Sequence, residues 1–220
     1  MARTEMRRQV AHVIPDRLRT LPVDERGYPV PFFVAWIDGK PDHRITDPAK
    51  FRVCILKHRC WICGRSLGKF ATFTVGPMCI VNMASGEPPA HQECARFAVQ
   101  ACPFLTLPRA VRRDAHLPAE HTVHPDMLQH NPGAMILWTT DTWDLMPGSQ
   151  WGNAAPLVQF GEPSRVSFWC QGRTATRGEL LDAMARGLPQ LQHLADLEGG
   201  NAPTRLAQRV DAAMFWFPDA

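Results

Sequence analysis

The 220-residue sequence predicts an α+β fold made of small antiparallel sheets, with helices gathered toward the C-terminus. Three observations point there. Short β-prone runs bounded by Gly, Pro, Asn and Asp occur on both sides of the middle of the chain. The clearest helix start and stop signals lie after residue 175. The 20 Pro and 15 Gly, with 7 Trp against a single Tyr, favour many turns and long shaped loops over a helical bundle. With 45% hydrophobic and 20% charged residues, the composition is that of a globular chain able to bury a sizeable core.

The elements follow in order. In LPVDERGYPVPFFVAWIDGKPDHRI, Arg26-Gly27 has turn chemistry and Asp38-Gly39 suits a two-residue hairpin turn, so residues 31–37 and 43–46 are expected to pair, with Pro41 weakening the return strand. Residues 51–56 read as a further strand, and KFATFTV (69–75) alternates as a strand should. TVGPMCIVNMASGEPP (74–89) reads as an apolar, core-filling loop; the pocket-lining alternative rests on Gly76, Pro77 and Asn82. Three strands are predicted at 134–139, 157–160 and 165–170, the last two joined as a hairpin through Gly161-Glu162-Pro163-Ser164, with Trp138 and Trp169 as core residues. Thr176-Arg177-Gly178-Glu179 is a capping box that opens a helix stopped at Gly187, followed by helices at 190–198 and 203–215 divided by Gly199-Gly200. This divides the chain into an N-terminal region (1–105), a His/Pro-rich connecting loop (106–133) and strands then helices (134–220), packed as one unit.

The chemistry centres on HRCWICGRSLG. Two cysteines three positions apart can clasp a metal, form a redox disulfide or sit in a core, and a second ligand pair would favour the first. Going forward, that pair is His91 and Cys94, giving Cys60-x2-Cys63-Gly64, a gap of 27 residues, then His91-x2-Cys94. Four soft or borderline donors in two close pairs suit tetrahedral Zn(II) in a structural Cys3His site. Glycine after the second cysteine permits a tight knuckle. Pro88-Pro89 ends the preceding segment, so His91 and Cys94 fall where a helix begins and share a face three residues apart. The redox reading lacks its βαβ context, and Cys54, Cys79, Cys102 and Cys170 have no partner at ligand spacing, with Cys54 or Cys79 as fallback ligands.

Over residues 51–105 this pattern resembles the treble-clef zinc fingers, in which a knuckle supplies the first ligand pair and the first turn of a helix the second. The resemblance implies a treble-clef-like module with Cys60, Cys63, His91 and Cys94 on zinc. No histidine lies between the pairs, so it carries over no nuclease centre.

Net charge is +3 and the pI near 8.6, too mild to name a partner. Locally, residues 50–69 carry six Lys and Arg and no acid, a run that brackets the knuckle. Such a run is ordinarily a solvated face, but Lys57, Arg59, Arg65 and Lys69 are candidates for pairing with nucleic-acid phosphates. The rival site is the loop DAHLPAEHTVHPDMLQHN, where His121 and His124 are candidate catalytic groups for an enzyme with a pocket; without a recognisable spacing, a polar surface loop is the plainer account. The sequence has no Walker loop, GxGxxG, GxSxG or HExxH. It has no apolar run of about 18 residues. Early arginines without an apolar h-region predict no secretory signal, and seven cysteines are then expected reduced in the cytoplasm. The resulting expectation is a zinc-stabilised cytoplasmic binding protein with nucleic acid as partner, the alternatives being an enzyme or a protein-interaction adaptor that uses the finger as a scaffold.

Overall fold

The computed structural model describes residues 6–107, 110–111, 130–147 and 156–219. The architecture is α+β. A short helix α1 (Arg8–Ala11) and a 3-10 turn (Asp16–Leu18) precede a tight turn in which the Asp24 carboxylate accepts the amides of Arg26 and Tyr28, with Gly27 at φ +82°. Strands β1 (Val34–Ile37) and β2 (Lys40–Thr46) pair across Asp38-Gly39, both at positive φ as a primed turn requires. The return strand begins earlier than the sequence suggests. In a two-stranded ribbon both strands are edges, and Pro41 is accommodated opposite Trp36.

Residues 51–56, expected as a strand, belong instead to α2 (Pro48–Leu56). The deciding residues lie just upstream: Asp47 caps the amides of Ala49 and Lys50, and Pro48 sits at the first helical position. Phe51, Cys54 and Ile55 then fall on one buried helical face. The segment 74–89 is likewise not a loop. It contains α3 (Pro77–Asn82), closed by Met83 in the left-handed region, and β4 (Ala84–Ser85), with Ile80 and Val81 buried. Six helical residues are too few to show a period.

The central sheet joins β3 (Ala71–Val75), β5 (Met135–Thr140), β8 (Arg165–Cys170) and β9 (Arg173–Thr174) in the order β3-β5-β8-β9, antiparallel throughout. Strand β5 is buried on both faces. Ile136 and Trp138 join one apolar cluster with α2, α3 and the C-terminal helices, while Met135 and Leu137 join a second with the N-terminal segment and α4 (Gln92–Ala101). After α4, Pro103 opens the short α5 (Pro103–Thr106). Trp138 is fully buried, whereas Trp169 is half-buried with Arg96 over its ring.

The expected hairpin through 161–164 does not form. Strand β7 (Val158–Phe160) lies in a separate sheet with β4 and β6 (Trp143–Leu145), while β8 pairs with β5. The Gly161 amide bonds to the Thr142 carbonyl and the Ser164 amide to that of Thr139, so the connection carries the chain from one sheet to the other.

The Thr176/Glu179 capping box opens α6, but that helix runs without interruption from Arg177 to Glu198 through Gly187 and Pro189, merging two expected helices. Gly187 lies against Met78 of α3, where a Cβ would come within 2.5 Å of the Met78 side chain. The glycine therefore serves a close helix approach, and Leu188, Leu191 and Ala195 hold the helix on the core beyond the proline. Gly199 and Gly200, at φ +73° and +56°, turn the chain into α7 (Ala202–Met214). Among the described residues, no helix is long and apolar enough to cross a membrane.

Candidate metal centre

The knuckle is a tied-down hairpin. Arg59 and Ser66 form a β-bridge, the Cys60 amide bonds to the Arg65 carbonyl, the Leu67 amide to that of His58, and the Gly64 amide to that of Cys60. Gly64 adopts φ +72°, and a Cβ there would stand 2.6 Å from the Phe32 ring. The same loop is anchored by the Phe32 amide on the Ile62 carbonyl and by Phe33 stacked on Trp61 at 4.7 Å. Gly64→Ala therefore meets both left-handed strain and a clash with a packed ring. It should cost about 2–4 kcal/mol and weaken metal retention, measured by urea unfolding beside a chelator titration.

Opposite the knuckle, Pro89 accepts the Trp61 amide and Ala90 pairs with Thr72 of β3, which delivers His91 as the N-cap of α4 and Cys94 to its first turn. The ligand atoms of Cys60, Cys63, His91 and Cys94 all lie within 4.8 Å of one another. His91 Nδ1 is 3.4 Å from Cys63 Sγ and 4.0 Å from Cys94 Sγ. Metal–ligand bonds of about 2.3 Å to sulfur and 2.0–2.1 Å to nitrogen give tetrahedron edges of about 3.5–3.8 Å, so one ion fits the cluster. Cys60 and Cys94 are fully buried, while Cys63 and His91 are half-buried.

The surroundings suit that role. Backbone amides of Cys63 and His91 both point at Cys60 Sγ from 3.4 Å and offset thiolate charge. His91 Nε2 lies 3.0 Å from the Ser66 carbonyl, to which it donates, fixing the tautomer that leaves Nδ1 free to coordinate. Cys63 and Cys94 share hydrogen bonds with His91 Nδ1. Hydrogen bonding to Cys60 and Cys63 pushes His91 up to about 10 and raises the Cys94 thiol, while hydrogen bonds from Cys60 and Cys94 hold the Cys63 thiol down. A divalent cation at the centre would replace the protons of those hydrogen bonds and let all three thiols ionise.

Neither fallback ligand joins the cluster. Cys54 is buried among apolar residues with its thiol pushed up to about 12 by desolvation, and burial pushes Cys79 up to about 11. Lys57, Arg59, Arg65 and Lys69 are all exposed, Arg59 and Arg65 on the knuckle hairpin, Lys57 at the end of α2 just before it and Lys69 just after it. Arg59 donates to the Gly64 carbonyl, Lys69 lies 3.8 Å from Asp141, and Lys57 and Arg65 form no ion pair with a described residue. His121 and His124 lie outside the described residues. Ser66 and Phe32, the two supports that sequence reasoning missed, act through a backbone carbonyl and a ring packed from a distant turn, and neither leaves a motif.

No protein-family model, curated protein or solved structure matches this chain.

Proposed function

We propose that this chain is a zinc-stabilised binding protein of the cytoplasm in which a treble-clef-like Cys3His centre is structural and the basic face of its knuckle takes nucleic acid. Four protein donors fill a tetrahedron and leave no position open for water or substrate, which supports a structural ion rather than a catalytic one. Three thiol ligands need a reducing compartment. The observation that carries the binding role is the exposure of Lys57, Arg59, Arg65 and Lys69 on and beside one hairpin, with no acid in the sequence between residues 50 and 69. Closely set cations release condensed counterions when they meet phosphates, so the binding should be salt-sensitive.

The test is oligonucleotide affinity of zinc-loaded protein at rising salt. Lys57→Ala with Arg65→Ala should weaken binding and flatten the log–log salt slope by about 1.5. Absence of salt-sensitive binding by the fully loaded protein removes the nucleic-acid role and leaves the metal site standing.

A further inference from the structure

Resting on that reading, we propose that the nucleic acid is single-stranded and that Phe70 is the ring on which an unpaired base stacks. Phe70 directly follows Lys69 and is 49% exposed, with the Lys69 ammonium 5.4 Å from its ring centroid. A single exposed aromatic is ordinary on a protein surface. This one stands at the end of the basic run, at the sheet corner where Ala71 pairs with Thr140 and Lys69 reaches Asp141. From that corner the chain turns to Trp143, against which the exposed His58 ring lies at 4.7 Å, at the base of the same hairpin. Cations beside an aromatic surface form the arrangement by which backbones are tracked and bases stacked without sequence readout.

Reading a duplex takes a protruding helix or two-stranded ribbon that can enter a groove. The ligand-bearing α4 cannot serve. Ala95, Phe97 and Val99 are buried in the cluster that also holds Val10, Ile14 and Leu18, and Glu93 on its outer side is ion-paired with Arg17. The β1–β2 ribbon has Asp38 and Asp42 set against Lys40 and Arg44, so it offers phosphates no net attraction. At the Phe70 corner, exposed Asp141 and Asp144 repel phosphate on the β6 side. The backbone of a strand is thereby directed along Lys57 and Arg65, with its bases turned toward Phe70.

The experiment uses zinc-loaded protein and fluorescein-labelled oligo(dT), oligo(U) and a mixed-sequence duplex of about twelve nucleotides, within the usual site size of such surfaces. Either single strand should bind about tenfold more tightly than the duplex; preference between dT and U identifies the DNA or RNA source and leaves the proposal intact. Phe70→Ala should weaken single-strand binding about tenfold with metal content and salt slope unchanged, because stacking displaces no counterions, and Phe70→Trp should restore it. Duplex binding as tight as single-strand binding, with Phe70→Ala silent, overturns the stacking proposal while the basic-face reading survives. If no probe binds in a salt-sensitive way, both fall.

Discussion

Cys60→Ser protein should leave purification without the one zinc per chain expected of the wild type, and should melt about 10–20 °C lower. Structural zinc binds its thiolates with about 10–16 kcal/mol at neutral pH, and this binding is available to the folded chain alone. If about 5 kcal/mol of it supports the fold here, a shift of about 2–4 °C per kcal/mol for a chain of this length gives that range. Cys60 is the ligand to remove because it is fully buried and its sulfur accepts two backbone amides, which lose their acceptor geometry together. His91→Ala should lose the same equivalent, whereas Cys54→Ser, outside the cluster, should keep it. Acid should release the ion as the thiolates take up protons. Metal analysis beside thermal melts checks all of this. A wild type that binds no metal, or a Cys60→Ser protein that retains a full equivalent, would remove the centre.

Trp138→Ala should cost about 3–5 kcal/mol while leaving the metal in place. The indole is 1% exposed, lies 5.8 Å from Phe160 and 5.5 Å from Trp216 between ring centroids, and donates Nε1–H to the Gly161 carbonyl at 2.8 Å. It thus joins the central sheet, the β4-β7-β6 sheet and the segment after α7. Alanine there opens a cavity and orphans a carbonyl at the crossing between sheets. Its neighbours Met135 and Leu137 face the cluster that contains the candidate ligands Cys60 and Cys94, whereas Trp138 faces the other way, so metal binding should be spared. Urea unfolding with parallel metal analysis measures both halves of the expectation. A cost below about 1 kcal/mol would show that the crossing does not depend on this ring.

The Cys3His cluster was legible because its signal is local: two pairs at ligand spacing, a glycine where the backbone must turn, and prolines before a helix. Strands β3, β5 and β8 of the central sheet were legible for the same reason, since alternation is written within a few residues, whereas the two-residue β9 was not foreseen. What failed were one local helix start and several features decided by distant partners. Residues 51–56 alternate poorly as a strand, and Asp47-Pro48 just before them specifies a helix start. The break expected at Gly187 was overridden by Met78, a contact across more than a hundred positions. Strands β7 and β8 are close in sequence and separated by a short Pro-containing link, yet they pair with β4 and β6 and with β5 and β9, which no local pattern encodes. The support given to His91 by Ser66 is invisible for another reason: the acceptor is a main-chain oxygen that any residue would supply.

Strand β3 lies between the two ligand pairs, and its hydrogen-bonded neighbour β5 begins at Met135, well after the last candidate ligand Cys94. A peptide cut after α5 would hold every donor atom and still expose the edge of β3 and the apolar surface that β5 covers. The clasp is therefore not a transplantable cassette. Its second half is brought into place by a strand whose own partner lies later in the chain, so a peptide ending after α5 should hold an ion more weakly than the whole chain.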